Sequence, residues 1–328
     1  MLAGRVRARP ALLFTMSQST RRRLDALLFL GPAVALMLAF FVAPIVVNIL
    51  VAFSDMNQTV RFGEFPTTEQ LGKLGKLDSE AFLGIELRGS FYRALALTAT
   101  FVFFTLFIFN VSFALILALT TTAVPERMGA VFRAIWLLPR MSPSVVYALL
   151  WLWVVDSTER GLLNQVWLLF ASEPLNLRLD HPMAVIVVAN GLIGASLGMI
   201  IFTSAIRSIP EHLFHAAHAD GAGPLSIVRH VVLPALRWPI SYITIYQALA
   251  LLVSFEYIFL IMGPSRSTMT MAMLSYTKTL APGIGGGQYA YGAAIALILI
   301  AVGIIVALLM WRLTNMKSLL QRPRIEVN

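Results

Sequence analysis

The sequence predicts an all-α integral membrane fold, and three observations predict it. Hydrophobic residues make up 58% of the 328, charged residues only 12%, and the mean hydropathy is +0.80. Ordinary soluble domains are about 45–50% apolar and about 25% charged. Six apolar stretches reach the length of about 20 residues that a helix needs to cross the hydrocarbon core. Between them the chain turns polar or rich in Gly and Pro. There is no cysteine, which excludes disulfides, thiolate metal sites and cysteine nucleophiles.

The stretches lie at about 26–52, 91–121, 130–155, 183–208, 235–262 and 289–313. Six is even, so both termini share a side. The basic residues choose that side. With the N-terminus, the 122–133 loop, the 207–237 loop and the C-terminus placed together, that side carries 15 of the 25 Lys and Arg against five acidic residues. The opposite segments carry nine basic and ten acidic residues. The asymmetry predicts cytoplasmic termini by the positive-inside rule, and it accounts for the net charge of +9 without nucleic acid. Trp151, Trp153, Trp167 and Trp311 fall near span ends, as interfacial aromatics do.

Along the chain, residues 1–24 read as a basic cytoplasmic tail, 25–315 as the six-span domain and 316–328 as a cytoplasmic C-terminal tail. The first residues carry only the short apolar run "ALLF", whereas a signal peptide needs an apolar core of roughly 7–15 residues. Residues 1–15 read as a disordered leader or the product of an upstream start, with Met16 opening the natural cytoplasmic segment. The largest external loop, about 53–90, contains "GKLGKLDS". A phosphate-binding loop requires Gly five residues before the final Gly-Lys and then Ser or Thr. Gln70 and Leu77 occupy those places, so the chain has no nucleotide-binding pattern there.

The segment 209–234 is polar and holds four of the five histidines. On a helix from Glu211 to Ala219, Leu213, Phe214 and Ala217 share one face while His212, His215 and His218 occupy the other. Pro210 suits the first turn, Asp220-Gly221 ends the helix, Pro224 opens a second short helix to about Val232, and Pro234 starts span five. The three histidines raise a zinc or nickel site as an alternative to a solvated or partner-facing polar face. No zinc-protease pattern accompanies them, and no metal ligand set is assigned.

This segment resembles the signature loop of permease subunits of binding-protein-dependent ABC importers. The family's form is E-A-A-x-x-D-G-A followed by a Pro. Here it reads His215-Ala216-Ala217-His218-Ala219-Asp220-Gly221-Ala222, with Pro234 twelve residues later and Ile209-Pro210 before it. His215 replaces the usual Glu. The first span, "LLPRMSPSVVYALLWLWVVDSTERGLLNQ" with its Gly161–Asn164 turn, "FEYIFLIMGP" and "QYAYGAAIALIL" resemble the sugar-importing, maltose- and glycerol-phosphate-type branch. The usual Gly-rich stretch after span five is abbreviated to Met262-Gly263-Pro264. The resemblance implies a six-transmembrane-helix ABC importer permease fold in the bacterial inner membrane. It makes His215, Ala216, Ala217, Asp220, Gly221, Ala222 and Pro234 the coupling loop that docks on a separate ATPase. It also implies a second permease subunit, an ATPase dimer that binds ATP and Mg, a periplasmic solute-binding protein and a carbohydrate-class solute. The chain itself would carry no cofactor and no ATPase site.

Ionisable residues inside spans are costly and mark function by default. Arg140, between Pro139 and Pro143, either lines the solute path or snorkels and pairs with a freed carbonyl. Glu256 in span five either hydrogen-bonds solute hydroxyls or ties spans together. Gln247 lies nine residues earlier, about 180° around a continuous helix, so both cannot line one cavity unless the helix breaks. Asn190 and Asn110 are weaker path candidates, because small amides in spans are more often interhelical glue. The run "MTMAM" at 269–273 reads as packing. Two other functions remain open from the residues alone: an ion-coupled secondary transporter, for which Glu256 is the one proton-relay candidate, and a metal-dependent membrane enzyme built on the histidines.

Overall fold

The computed structural model describes residues 18–57, 61, 64–75, 90–280 and 287–313. The leader 1–15, the tail 316–328 and residues 76–89 of the external loop lie outside the described residues. Among the described residues, four single helices are long and apolar enough to cross a membrane: α1 (Leu28–Ala52), α2 (Phe91–Ala123), α5 (Pro182–Arg207) and α11 (Tyr289–Leu313, of which Tyr289–Met310 is the apolar span). Two bent pairs also qualify. These are α3 (Glu126–Met141) with α4 (Ser144–Val154), and α7 (Pro224–Ala235) with α8 (Arg237–Val253). Between α5 and α7 lies α6 (Glu211–Ala219); after α8 come α9 (Glu256–Met262) and α10 (Met271–Leu280).

The helix α5 is the axis of the bundle. Its apolar span is 72% buried, against 28% for α2, 22% for α11 and none for α1. The sequence explains this position, because Gly191, Gly194 and Gly198 recur on α5. A Cβ at Gly198 would lie 2.7 Å from both the Asn110 carbonyl oxygen and the Ala114 Cβ. A Cβ at Gly191 would enter the Phe109 ring, and one at Gly194 would meet the Asn110 side chain. Small residues thus bring two backbones together where apolar burial gives no preference over lipid. The facing part of α2 is a wide π-helical turn, Thr105–Phe113, the kind of local unwinding that recurs at functional sites. Asn110 is fully buried in it, and neither of its side-chain polar atoms has a hydrogen-bond partner within the chain.

Three apolar clusters surround this axis. One joins the end of α1 to α10 and α11 through Ala52, Met271, Met273, Leu274 and Ile295. Met269, Met271 and Met273 are buried in it, which is a packing role. A second joins α2, α4, α5 and α9 through Phe101, Ala148, Ile186 and Ile258. A third joins α2, α5, α7 and α8 through Ala118, Phe202, Ile227 and Leu236, with Phe214 and Ala217 of α6 packed against it.

The second, fourth and sixth apolar stretches each form one long helix, but the third and fifth are bent pairs, so the described residues give four spans, or six if each pair is one span. The α3–α4 pair bends by 100° at Ser142-Pro143. Pro143 lacks an N–H and forces Ser142 out of helical geometry, to φ −77° and ψ 147°. The α7–α8 pair bends by 67° at Leu236. Pro234 therefore sits in the last turn of α7 and does not start span five, which opens at Arg237. Pro234 supplies no N–H to the turn behind it, and a π-helical turn over Val228–Val232 precedes it. A second break, at Ser254-Phe255, separates α8 from α9; Ser254 has ψ 122° and Phe255 φ −133°.

The 156–176 loop is tied by one side chain. Asn164, 1% exposed, donates to the carbonyls of Asp156 (2.9 Å), Thr158 (3.2 Å) and Leu175 (3.0 Å) and accepts from the Leu175 N–H (2.8 Å). A Cβ on Gly161 would lie 2.2 Å from the Asp156 carbonyl oxygen. The Gly161–Asn164 turn is thus explained as a scaffold. In the same loop the Thr158 hydroxyl and N–H, and then Arg178 and Arg160, hold the Asp156 carboxyl below its ordinary range.

Gly198→Leu is expected to lower the thermal unfolding midpoint in detergent, with a cost of about 1–3 kcal/mol or more, because the atoms it meets include backbone. Gly303→Ala, whose Cβ would meet nothing closer than 3.7 Å, should leave the midpoint unchanged.

Candidate functional site

Two groups of residues stand out. The first is the α6–α7 segment. Pro210 precedes the first turn of α6 as its cap, one residue earlier than expected. The helix ends in a Schellman motif: the Ala222 N–H donates to the Ala217 carbonyl at 2.9 Å and the Gly221 N–H to the His218 carbonyl at 3.0 Å. Gly221 has φ 73°, the left-handed conformation in which an L side chain is strained. This is the physical reason for Gly in the Asp220-Gly221-Ala222 sequence. His212, His215 and His218 are exposed, and Phe214, Ala217 and Ala222 are packed against the third cluster. Leu213, expected on the packed face, lies at its edge and is 42% exposed; Leu225 is 82% exposed. Among the described residues no three His, Asp or Glu side chains gather into a group that could hold a metal ion.

An ion network abuts this segment. Arg207, in the last turn of α5, holds Glu126 at the start of α3 through both terminal guanidinium nitrogens, one contact at 2.9 Å. Arg133 bonds the same carboxylate at 3.2 Å and the Thr121 carbonyl at 3.1 Å. The α2–α3 turn is thereby fixed to the end of α5, four residues before α6 begins. By sequence these residues carried only the side-choosing charge asymmetry; nothing in their spacing foretold the network.

The second group surrounds the two helix breaks. Ser144, the first residue after the α3–α4 bend, donates a hydrogen bond to Glu256, the first residue of α9. Arg140 is exposed on the other side of the same bend, and it and Glu256 both act electrostatically on Tyr257. Asn190 of α5 donates to the Ser254 hydroxyl at 3.4 Å. The Tyr147 hydroxyl donates to the Ala189 carbonyl at 2.6 Å, and its ring meets that of Tyr257 edge-on at 5.5 Å. Phe255 stacks on Tyr276 at 4.5 Å. Arg140, Glu256 and Asn190 therefore converge on one region. Gln247 leaves it: Gln247 is buried and donates to the Gly194 carbonyl at 2.9 Å. Ser144, Ser254 and Tyr147 were not singled out from the sequence. Ser144 had a signal, since it follows Pro143; Ser254 and Tyr147 had none. The crook of the bend holds a cavity of about 570 Å³ lined by Trp136, Pro139, Ser142, Tyr147 and Trp151.

Gly221→Val is expected to strain the turn by at least about 1–2 kcal/mol, seen as faster amide exchange over residues 216–222 with exchange in α5 unchanged.

The sequence and fold have relatives. Residues 110–315 match the family described as binding-protein-dependent transport system inner membrane component. The chain is 29% identical over 288 residues to a probable ABC transporter permease protein of Pyrococcus horikoshii, covering 86% of this chain and 92% of that one. It is 23% identical over 298 residues to the arabinooligosaccharides transport system permease protein AraP of Bacillus subtilis, covering 88% of each. Its fold is similar to that of a chain in the crystal structure of a bacterial ABC transporter involved in the import of the acidic polysaccharide alginate. That likeness has TM-score 0.75 at 19% identity, over 91% of this chain and 97% of that one. With its family match spanning the α6–α7 segment and the breaks at Ser142-Pro143 and Ser254-Phe255, the chain belongs to the inner membrane components of binding-protein-dependent transport systems.

Proposed function

We propose that the chain is the membrane-spanning permease subunit of an ATP-driven importer for a carbohydrate or sugar derivative, forming the solute path and coupling to a separate ATPase. Relatives named as uptake permeases for arabinooligosaccharides, diacetylchitobiose, and xylose and arabinose support the solute class. ATP and Mg bind the partner ATPase, and this chain carries neither an ATPase site nor a cofactor. A second permease subunit completes the path, and a periplasmic solute-binding protein delivers the solute. The distribution of Lys and Arg supports cytoplasmic termini.

The observation that carries the coupling role is the α6–Gly221–α7 segment. One face of α6 is packed on α5 and α7, while Leu213, Leu225 and the three histidines are presented outward. An amphipathic helix of this kind fits the groove of a partner. His215, Ala216, Ala217, Asp220, Gly221, Ala222 and Pro234 form the docking element. His215 stands where the family's form has Glu, and it places an exposed imidazole on the docking face. The solute path runs past Glu256, Ser144 and Asn190, with Glu256 accepting from solute hydroxyls. Arg140 supplies a cationic group suited to an acidic sugar.

The chain, reconstituted with its second permease, ATPase and binding protein, is expected to accumulate at least one of labelled arabinobiose, diacetylchitobiose, xylose and maltose, with ATP consumed. Accumulation that persists without the ATPase would show an ion-coupled carrier instead. Glu256→Gln should lower uptake about ten-fold, as loss of one charge-assisted hydrogen bond predicts.

A further inference from the structure

The exposed face of α8 is unlike the other exposed faces of the spans. Tyr242 is 54% exposed, Tyr246 48% and Val253 60%. At 100° per residue the three fall within a sector of about 40°, opposite the buried Thr244, Gln247, Ala248 and Leu251. The two tyrosine rings are parallel to within 14°, with centroids 6.1 Å apart. Three residues beyond Val253, across the break, the exposed Glu256 meets Ser144.

The faces that present only hydrocarbon differ in kind. The exposed large residues of α11 are Ile300, Ile304, Ile305, Leu308 and Leu309, and those of the middle of α2 are Phe103, Phe104, Phe107 and Ile108. None carries a hydroxyl. Tyr242 alone would pass for an interfacial tyrosine. Tyr246 lies one turn deeper, about 14 Å along the helix from Arg237, and its stripe ends on a carboxylate. Glu256 and Arg140, exposed ionisable groups beside the helix breaks, cannot face lipid tails without large cost, so the stripe that leads to them faces water or solute.

Resting on the carbohydrate-importer reading, we infer that Tyr242 and Tyr246 form an aromatic track along which a sugar ring moves between the Glu256 region and the Arg237 end of span five. The C–H-bearing face of a pyranose or furanose ring is apolar and slightly positive, which complements the negative face of an aromatic ring. The track binds by ring face without directional hydrogen bonds, so it asks only that one face of the ring present C–H groups uninterrupted by axial hydroxyls. It therefore holds sugars with little selection among them, and passes them on. Glu256 and Ser144, with directional hydrogen bonds, supply the polar contacts at the other end.

The chain has no cysteine, so Tyr242→Cys and Tyr246→Cys each give this subunit a single thiol, followed on the separated subunit after labelling of the complete transporter. In proteoliposomes the membrane-impermeant sulfonatoethyl methanethiosulfonate should modify Tyr246→Cys at least about ten-fold faster than Ile304→Cys, since a thiol in lipid stays protonated and unreactive. The sugar accumulated in the uptake assay should slow that reaction. Tyr246→Phe and Tyr246→Trp should keep uptake within about two-fold of wild type, and Tyr246→Leu should lose about ten-fold while binding-protein-stimulated ATP hydrolysis is retained. Labelling no faster than at Ile304→Cys would overturn the inference in favour of a lipid face. Failure to react with N-ethylmaleimide as well would overturn it in favour of a buried protein contact. Full uptake by Tyr246→Leu would overturn it directly. A wild-type complex that accumulates none of the sugars would instead overturn the carbohydrate reading, and the track with it.

Discussion

The hydrogen bond from Ser144 to Glu256 joins two of the places where long helices are broken, Ser142-Pro143 and Ser254-Phe255. In hydrocarbon a broken helix exposes backbone N–H and C=O groups that lipid cannot satisfy, so breaks persist only where protein or a polar cavity covers them. Here the two breaks face each other, at Ser142-Pro143 and Ser254-Phe255, and α5 passes behind them. Asn190 reaches the Ser254 hydroxyl from α5, and Tyr147 returns a bond to the Ala189 carbonyl. The close α2–α5 approach through Gly191, Gly194 and Gly198 fixes α5 in the axial position from which it can do this. Without that packing neither break would be held.

The same helix connects the breaks to the proposed docking element. The buried side of α6 rests through Phe214 and Ala217 on the cluster that contains Phe202 and Ile206 of α5 and Ile227 of α7. Arg207, one residue before the turn into α6, is locked to Glu126 and so to α3, the arm that leads to the Ser142-Pro143 bend. A displacement of α6 therefore has two contiguous solid routes to the Ser144–Glu256 region, through α5 and through α3.

Much of this was legible in the chain. Spans two, four and six are uninterrupted apolar runs, and length alone places them. The turn after α6 was legible because its chemistry is local: only Gly accepts φ 73° at small cost, and Asp220-Gly221 announces it. The α3–α4 bend was half legible, since Pro139 and Pro143 mark a weak point but not its angle. The Ser254-Phe255 break was not. Neither Pro nor Gly marks it, and it depends on Asn190, Ser144 and Tyr276, which are far away in sequence. Arg140, Glu256 and Asn190 were found because charge and amide inside an apolar run are conspicuous. Ser144, Ser254 and Tyr147 were missed because serine and tyrosine are ordinary in such runs until their partners are known. Gln247 and Glu256 have different partners, but the helical period does not account for this, because the Ser254-Phe255 break interrupts the helix between them.

The central claim is that the α6–α7 segment docks on an ATPase and transmits its movement to the solute path. Because the chain lacks cysteine, His215→Cys provides a single thiol at the tip of the exposed face for cross-linking to the ATPase in the assembled transporter. The account predicts a short-range cross-link to the ATPase whose yield changes when ATP binds, and loss of uptake once the link is locked. A thiol at 215 that stays free and water-accessible in a complex fully active in ATP-dependent uptake would contradict it.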